Sequence, residues 1–552
     1  MTSVSAGQFT RTTLNQAAMR VNSNLSRITR ELMDLQEKMA TGKTLNRPSD
    51  DPFATVLTLQ LQTLLESKVQ YKENVMLASD TLAASDRALG DIAEVLIEAR
   101  TTGLGEIGAT STQETRAAAA IVIDSILDEV LGKGNASFYG RCLFAGTLTG
   151  TAPFEQVGNY IAFKGNTESL RTRIDQSTDV EYNITAESVF GTRSSLLTGS
   201  QELAPAIDAD TDLRLLNEGR GVRAGSIVID DGTTSTTVDL SHARTVGDVI
   251  DAINAATPGT TSCTVSPAGT GLLITSTLPG ADITVTEASQ GSTARDLGVY
   301  QPTAGGGATL TGTPLDAVLD LNTGLSLLHG GAGIDTTGGI TITNGDFAAT
   351  LTFDDCDTIE DLLNKINGAG VYVDAAISQD GKRLEVFSRL HGAEMRIAES
   401  GGTTATDLGL RSFASSSRLN ALNRESGVRT AVGDDVRITC RSGETVDVDL
   451  SGAITVQDVI DAINNDADNA GRVLARLALT GNGLELVDQT VDAGISFGAQ
   501  NLGTSFAASD LGIAKTAGAG SDTISGDDTN GIRNEGVFTH LIDLREALQR
   551  GD

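Results

Sequence analysis

The chain is poor in the residues that most enzymes use for catalysis and ligand binding. Its 552 residues include no tryptophan, 4% aromatic residues and four histidines. These histidines (His242, His329, His391 and His540) stand in unrelated contexts without a serine or cysteine partner motif, which is typical of surface histidines. We therefore expect a protein that is not an enzyme, with no catalytic residues and no cofactor.

Cysteines and long apolar runs are also scarce. The four cysteines, Cys142, Cys263, Cys356 and Cys440, have no CxxC or zinc-like spacing, and they read as isolated small hydrophobic residues. No run approaches the roughly 18 apolar residues of a membrane-spanning helix, and the N-terminus has no apolar segment of the secretory-signal type. The sequence predicts neither membrane insertion nor a cleaved signal peptide.

Positive charge is the third shortage. Lysine and arginine number 40 against 72 aspartates and glutamates, so the formal net charge is −32. Nucleic-acid phosphates and anionic membrane surfaces both attract basic patches, and a strongly acidic chain does not favour them. The charge balance is instead typical of a solvated, acidic extracellular protein.

Two acidic stretches have only part of a metal-site pattern. "DADTD" (208–212) begins like a calcium loop, but Leu213 occupies the glycine position and Gly219 the glutamate position. Asp50 and Asp51 are adjacent carboxylates with no further ligand nearby. We predict no metal site at either place.

The N-terminal part of the chain contains apolar residues at alternating spacings of three and four, the pattern of a coiled-coil seam. A first predicted helix, over about 10–40, carries the seam residues Leu14, Ala18, Val21, Leu25, Ile28, Leu32, Leu35 and Met39. A second helix continues the pattern from Leu57, Leu61 and Leu64 to Leu96, with interruptions at Lys68 and Ser85. Near the C-terminus the same spacing joins Val537, Leu541, Leu544 and Leu548.

A third helix is predicted over about 112–131. The apolar stripes of these helices are too narrow, and the chain between them too short, for a compact globule. The sequence therefore predicts a rod that packs against copies of itself through the seam residues.

The segment "TGKTLNRPSDDP" (41–52) separates the first two predicted helices. Gly42 suits a helix C-terminus, and Pro48 and Pro52 prevent the first helix from continuing. Asp50 and Asp51 stand where carboxylates cap a helix N-terminus, and Pro52 suits its first turn. We predict a built-in break between two rod segments.

This segment, within "MATGKTLNRPSDDPFA" (39–54), resembles the N-terminal signature of the bacterial flagellin superfamily. A second stretch, "YGRCLFAGTLTGTAPF" (139–154), is similar to the hook-associated members of that superfamily that join hook and filament, and filament flagellins usually lack it. The signature residues of the two stretches are Gly42, Pro48, Ser49, Asp50, Asp51, Pro52, Phe144, Ala145, Gly146, Thr147, Pro153 and Phe154.

The resemblance implies a structural subunit that assembles through helix packing into a tube. It implies contacts with copies of itself, with the preceding hook-associated protein and with flagellin. It also implies export through the flagellar type III apparatus, with its chaperone and without signal cleavage, to the extracellular flagellum. Two alternatives stay open: a filament flagellin, and a surface adhesin that uses its repeats to bind glycans or host proteins.

The middle of the chain contains an internal repeat of about 100 residues. Three anchors recur in one order: an asparagine (Asn217, Asn322, Asn423), a T-x-x-D helix start (Thr245, Thr358, Thr455) and a D-L-G tripeptide (Asp296, Asp407, Asp510). Threonine followed three positions later by aspartate predicts a capped helix. We expect each module to be a small sheet, ββαβ plus a further strand, covered by one helix, similar to the insertion modules of flagellins.

The predicted fold class is α+β, a long helical coiled-coil stem with β-rich outer domains. The predicted domains are a helical stem (1–150), a β-rich connecting segment (151–211), module 1 (212–300), module 2 (314–413), module 3 (417–514) and a C-terminal stem helix (530–552). The Gly/Thr-rich run 302–313 and the run 515–531 are interpreted as linkers, so 212–514 should be removable as a block. Family members end in a long helix, and we expect that helix to be truncated here.

Overall fold

A computed structural model describes residues 9–49, 51–108, 111–194 and 197–551. The fold is α+β: long N-terminal helices precede a series of antiparallel sheets. The helices are Phe9–Thr41 (α1), Pro52–Gly105 (α2), Gln113–Gly134 (α3), Ala186–Phe190 (α4), Val246–Ala256 (α5), Thr293–Asp296 (α6), Leu328–Gly331 (α7), Ile359–Asn367 (α8), Thr404–Asp407 (α9), Val456–Asn465 (α10), Ala507–Asp510 (α11) and Val537–Arg550 (α12).

The strands are short and antiparallel to their neighbours. Those before and within the first module are Ser137–Phe138 (β1), Arg141–Cys142 (β2), Phe154–Val157 (β3), Tyr160–Phe163 (β4), Arg171–Asp175 (β5), Thr178–Glu181 (β6), Leu197–Thr198 (β7), Ser226–Asp230 (β8), Ser235–Asp239 (β9), Thr261–Val265 (β10), Leu272–Ser276 (β11), Thr284–Glu287 (β12) and Thr309–Thr311 (β13). The remainder are Ile340–Asn344 (β14), Phe347–Leu351 (β15), Val373–Ile377 (β16), Leu384–Ser388 (β17), Leu390–His391 (β18), Glu394–Glu399 (β19), Val436–Thr439 (β20), Thr445–Val448 (β21), Val473–Leu477 (β22), Leu484–Asp488 (β23), Gly498–Asn501 (β24), Thr523–Ser525 (β25) and Ile532–Arg533 (β26).

The chain divides into two compact units, Met1–Asp86 with Ser169–Asn183 and Arg87–Glu168 with Ile184–Asp552. The first unit holds α1, the start of α2 and the β5–β6 hairpin. Lys68, an interruption of the predicted seam, forms a 2.9 Å ion pair with Asp175 of this hairpin. Asn74 donates to the Arg173 carbonyl at 2.9 Å. The seam is therefore polar where the hairpin lies against α2.

The break between α1 and α2 follows from local chemistry. Helix α1 ends at Thr41, and Gly42 takes a left-handed φ of 65°, which glycine adopts without steric cost. Asp51 caps α2, since its carboxylate accepts a hydrogen bond from the Ala54 N–H at 3.0 Å. Pro52 is the first helical residue. Asp50, the other predicted cap, lies outside the described residues.

In the second unit, each repeat packs one longer helix (α5, α8 or α10), a four-residue helix (α6, α9 or α11) and two antiparallel sheets around one buried core. The sheet orders are β12-β8-β9 and β10-β11-β13, then β15-β14-β19-β26 and β16-β17-β7, then β21-β20-β24 and β22-β23-β25. The expectation of one small sheet per module is therefore wrong. Alternate side chains of both sheets contribute to each core. A helix and a single sheet would therefore leave one side of the core exposed to water.

The two runs interpreted as linkers each contain a strand, which corrects that interpretation. Strand β13 pairs with β11, and β25 pairs with β23. Their central residues, Leu310 and Ile524, are buried in the module cores. In module 2 the equivalent place beside β17 is taken by β7, which precedes the module in the chain. Three-residue strands are too short to show a period of two, so only the partner strand reveals them.

All three predicted helix caps are confirmed. Thr245, Thr358 and Thr455 each accept from the backbone N–H of the aspartate three positions later, and that aspartate accepts from the threonine N–H. In module 1 the backbone N–H groups of Arg244 and Thr245 hold the pKa of Asp248 below its ordinary value. These reciprocal bonds set where each module helix begins.

The predicted equivalence of the three anchor asparagines is confirmed in modules 1 and 3 and is wrong in module 2. Asn217 and Asn423 have left-handed φ values of 54° and 55°, and each donates to a D-L-G aspartate carbonyl at 2.8 Å. In module 2 the residue with this geometry is His329, with φ 53° and a 2.8 Å contact between Nε2 and the Asp407 carbonyl. Asn322 lies seven positions earlier, in a turn. Histidine and asparagine both tolerate this backbone and both offer an N–H donor.

Modules 2 and 3 are joined by a buried polar contact around Arg411. Its side chain donates to Asn482 Oδ1 and to the Ala478 carbonyl, both at 2.9 Å, although the residue is only 4% exposed. Asn482 in turn donates to the Ile397 carbonyl at 2.8 Å. Burial lowers the pKa of Arg411, which nevertheless stays charged at neutral pH.

Replacing Arg411 with methionine should loosen this junction. Methionine fills the space but leaves the Asn482 oxygen and the Ala478 carbonyl without their donor, a cost of roughly 2–4 kcal/mol. We expect a lower thermal midpoint and faster proteolysis between modules 2 and 3. Arg418→Met is the matched control, because Arg418 is exposed. Equal effects of the two substitutions would contradict a specific role for Arg411.

Candidate assembly surface

The predicted seam on α1 is an exposed apolar stripe. Leu32, in the C-terminal half of the helix, is 58% exposed. The other seam residues of α1 are exposed as well: Leu14, Val21, Leu25, Ile28, Leu35 and Met39. A row of large apolar side chains in water is unfavourable, and contiguous exposed patches of this kind mark interaction surfaces.

The seam on α2 is exposed only along part of the helix. Leu57, Leu61 and Leu64, in the first unit, are exposed. Further along the helix, in the second unit, Ile92 and Val95 are buried. The sequence pattern is the same in both parts, so tertiary contacts alone decide which part of the stripe is free.

The C-terminal seam is covered within the second unit. Leu541 is 4% exposed and Leu544 is half-buried on α12, which packs against α3. Arg545 of α12 forms a 3.0 Å ion pair with Asp124 of α3. Gln113 donates to the Gln549 carbonyl at 2.9 Å. Leu541 is therefore a core residue and Leu544 is partly covered in the single chain, unlike their counterparts on α1.

The second signature stretch builds the interior of the fold. Phe144, Ala145, Pro153 and Phe154 are buried. Gly146 has φ 67°, and an added Cβ would overlap with Asn166 Oδ1, so a larger residue is excluded there. Thr147 donates its backbone N–H to the same oxygen at 2.8 Å. The stretch thus fixes a tight turn within the second unit.

Phe144 and Phe154 belong to an aromatic cluster that also contains Phe190 and Phe538. The Phe154 and Phe538 ring centroids are 4.8 Å apart, and Phe190 stacks on Phe538 at 5.4 Å. Sequence reasoning missed Phe190 and Phe538, because nothing in their local pattern distinguishes them from other apolar residues. The cluster ties α4 and α12 to the turn that the signature residues form.

His391 is at the edge of this cluster, and the expectation that it is a surface histidine is wrong. The residue is fully buried, with its ring centroid 5.3 Å from that of Phe538 and 6.1 Å from that of Phe154. Within the described residues, neither ring nitrogen has a hydrogen-bond partner. Burial lowers the pKa of His391 to about 3. The imidazole is therefore neutral at physiological pH.

The stability of the second unit should consequently depend on pH through His391. Unfolded His391 takes up a proton below its ordinary pKa of 6.5, whereas the folded residue stays neutral down to about 3. Stability is therefore complete above pH 6.5 and falls as the pH decreases between these values, by about 1.4 kcal/mol per pH unit. His391→Phe should remove this contribution of His391 to the pH dependence of the stability.

Denaturant unfolding of both proteins at about pH 7.5 and about pH 5 tests the dependence. The loss in the wild type should exceed that in His391→Phe by about 2 kcal/mol. His540→Phe serves as a histidine control, since His540 is exposed. An identical pH dependence of the wild type and His391→Phe would contradict the buried neutral histidine.

The cysteines behave as small apolar residues. Cys263, Cys356 and Cys440 are buried, Cys142 is half-buried, and all four are free thiols. Burial raises the pKa of Cys263 to about 12 and contributes most to the rise of Cys440 to about 11. Thiolate chemistry is therefore suppressed at both positions.

The described residues offer neither a membrane-crossing helix nor a cluster of metal ligands. None of their helices combines the length and the apolar character that crossing a lipid bilayer requires. No group of three or more His, Cys, Asp or Glu side chains in this part of the chain is placed to hold a metal ion.

Comparisons with known proteins agree on one family for the N-terminal part. Residues 13–149 match the bacterial flagellin N-terminal helical region. Flagellar hook-associated protein 3 of Escherichia coli K12 is 29% identical over 167 residues, 30% of this chain and 52% of that protein. The Salmonella typhimurium protein of the same name is 26% identical over 181 residues, 32% of this chain and 56% of its own length. The chain spans about half the length of these curated relatives.

Among solved structures, a putative flagellar hook-associated protein from Vibrio parahaemolyticus is 25% identical, with a TM-score of 0.25 over 26% of this chain and 65% of that one. The sequence similarities and the signature residues point to the same part of the chain. Residues 13–149 of the chain therefore match a bacterial flagellin N-terminal helical region, and the relatives that it resembles over this part are flagellar hook-associated proteins.

Proposed function

We propose that this chain is a structural subunit of the bacterial flagellum and joins the hook to the filament. The observation that carries the proposal is the exposed seam on α1, continued by Leu57, Leu61 and Leu64 on α2. A coiled-coil stripe of this kind is satisfied by helices of neighbouring copies. The subunit acts by packing and has no active site.

The proposed partners follow from that position. Copies of the chain associate through the seam in a tubular assembly, in contact with the preceding hook-associated protein on one side and flagellin on the other. The chain reaches this extracellular place through the flagellar export apparatus and its chaperone, without signal cleavage. The acidic modules do not contribute to the seam, and their net charge keeps exported subunits soluble before assembly.

Immunogold electron microscopy of isolated flagella tests the proposed location. Antibodies raised against module 3 should label a single band between hook and filament. Labelling along the whole filament would identify a filament flagellin instead. Labelling of the cell surface with normal flagella would favour an adhesin. Cells that lack the chain should still build hooks but should shed flagellin into the medium.

A further inference from the structure

Each module is completed by a short segment that lies outside the repeat predicted from the sequence. In module 1 this segment is 310–315, which begins within β13, and in module 3 it is 524–529, which begins within β25. In module 2 it is 197–203, which begins with β7 and precedes the module in the chain. We call these three stretches the closing segments.

The three closing segments pair with their modules in the same register. The first residue of each is apolar and lies opposite a buried residue of the middle strand: Leu310 opposite Ile274, Ile524 opposite Leu486, and Leu197 opposite Val386. Two positions later a glycine N–H donates to a leucine carbonyl of the same strand: Gly312 to Leu272, Gly526 to Leu484, and Gly199 to Leu384. The middle strand therefore offers the same edge in every module.

Two further hydrogen bonds recur outside the ladder. The residue after the glycine donates its N–H to the glycine carbonyl of the D-L-G tripeptide: Thr313 to Gly298, Asp527 to Gly512, and Ser200 to Gly409. The last residue of the segment accepts from the N–H of the left-handed anchor residue: Leu315 from Asn217, Thr529 from Asn423, and Leu203 from His329. Edge, tripeptide and anchor together form one site for an extended segment.

The glycine of each segment is required by a close approach to the middle strand. A Cβ added at Gly312 would lie 2.9 Å from the Leu272 carbonyl oxygen, and the corresponding distance is 2.7 Å at Gly526 and 3.1 Å at Gly199. The segments share a three-residue pattern of Leu or Ile, then Thr or Ser, then Gly. Because the other recurrent contacts involve the main chain, each site suits any segment with this pattern.

Module 2 shows that the site does not require a segment from the adjoining chain. Its closing segment, 197–203, is separated from the remainder of the module by the whole of module 1. Modules 1 and 3 are closed by a segment that follows them, whereas module 2 is closed by one that precedes it. Recognition therefore resembles β-strand addition, in which the edge binds a strand regardless of how that strand is connected.

The closing segment of module 1 lacks a tether that module 3 has. In module 3, Lys515 donates to the Ser525 carbonyl at 3.0 Å and to the Asp527 carboxylate at 2.7 Å, which ties the segment to the connection before it. The corresponding residue of module 1, three positions after the tripeptide glycine, is Gln301. Its side chain donates to the Ile283 carbonyl instead.

The connection before β13 is suited to act as a hinge. It contains three consecutive glycines, Gly305, Gly306 and Gly307, and residues 302–306 are exposed. An added Cβ at Gly305 or Gly307 would meet nothing within 4 Å. Glycines without contacts let the chain change direction at little cost. Module 1 is therefore the module whose segment is freest to leave.

We propose that the closing segment of module 1 is exchanged between copies of this chain. The segment of one copy leaves β11 of its own module, by a change of direction at the glycine connection, and pairs with β11 of a neighbouring copy. The exchanged and unexchanged modules contain the same contacts, so the balance between them depends on the local concentration of copies. The exchange links neighbours by main-chain hydrogen bonds, in addition to the helical seam.

The exchange rests on the proposed function in one respect, since assembly through the α1 seam brings the copies side by side. Its test needs neither hook nor filament, because a concentrated solution of the chain supplies the neighbouring copies. A failed exchange would leave the junction role intact, and a failed junction role would leave the exchange measurable.

Disulfide trapping between two full-length variants tests the exchange. Thr275 of β11 and Thr309 of β13 lie opposite each other, so cysteines there come within disulfide distance when the two strands pair. Chains with Thr275→Cys and chains with Thr309→Cys are mixed at about 1 mM, the range of effective concentrations in linked systems, and oxidised. Both carry Cys142→Ser, because Cys142 is half-buried whereas the other natural thiols are buried. We expect a heterodimer whose yield rises with concentration.

Two controls define the yield that counts as exchange. A single chain with both Thr275→Cys and Thr309→Cys should form the disulfide internally at low concentration, which shows that the geometry permits the bond. Val228→Cys and Thr237→Cys lie opposite each other in β8 and β9, whose connecting turn, 231–234, is too short for exchange. Mixed chains of this second pair should give about tenfold less heterodimer than the exchange pair.

Competing peptides separate docking from random collision. A peptide of sequence 307–316 and one of sequence 521–530, from module 3, should both lower the heterodimer yield by occupying β11. The 307–316 peptide with Gly312→Val should not, because its Cβ would come too close to the Leu272 carbonyl. Circular dichroism melting confirms that the cysteine variants are folded. Equal yields from the exchange pair and the β8–β9 pair, or an undiminished yield with the 307–316 peptide, would overturn the proposal.

Discussion

A chain with Leu32→Asp or Leu25→Asp is expected to fold normally and to fail in flagellar assembly. Both leucines are exposed in the single chain, so an added carboxylate costs little there. In a packed seam the same carboxylate would be desolvated next to apolar side chains, at a cost of several kcal/mol for each subunit. Since each subunit in a tube contacts several others, the penalty is repeated through the assembly.

Complementation of a strain that lacks the chain measures this effect. Motility and electron microscopy should show no junction with either variant, although both proteins appear in the culture medium. Ser23→Asp is the matched control, because it adds the same charge to an exposed position of α1 outside the seam spacing. Normal assembly of Leu32→Asp would show that this stripe does not carry subunit packing.

Deletion of 413–529 is expected to leave the remainder of the second unit folded, whereas deletion of module 2 should unfold it. The module 3 core is built entirely between Phe413 and Ile524. The residues that flank the deletion already touch, since Asn530 donates to the Ser412 carbonyl at 2.5 Å. A short glycine linker between Ser412 and Asn530 should therefore be enough to rejoin the chain.

Module 2, by contrast, is continuous with the parts of the chain that precede and follow the repeats. Strand β18 pairs with β4, β7 pairs with β17, and β26 pairs with β19. Removing 314–413 would expose an edge of β4 and take His391 away from Phe538. The expectation that 212–514 can be removed as one block is therefore revised: we predict that module 3 is separable and that module 2 is not.

Thermal unfolding and limited proteolysis of the two deletion proteins distinguish these cases. The protein without module 3 should keep a cooperative transition and a protease-resistant α3–α12 fragment. The protein without module 2 should lose both. A deletion of 413–529 that is fully protease-sensitive would contradict the independence of module 3, and the exposure of Arg411 on the new surface would be the first cause to test.

The elements predicted well from the sequence depend on contacts within a few residues. The 3-4 spacing from Leu14 to Met39, the break around Gly42 and Pro52, and the threonine–aspartate caps all form through neighbours in the chain. Local periodicity and the residue pairs that form local hydrogen bonds can be recognised in a sequence, because they do not depend on tertiary contacts.

What only the tertiary structure decided depends on distant partners. Strands β7, β13 and β25 exist because β17, β11 and β23 present free edges to them. His329 occupies the position of the asparagine because a carbonyl 78 positions away, that of Asp407, accepts a hydrogen bond from its ring. The seam residues of α1 and α12 have the same spacing. Leu32 is nevertheless exposed, whereas Leu541 is buried because α12 packs against α3. Periodicity specifies which face of a helix is apolar, but burial depends on which other element reaches that face.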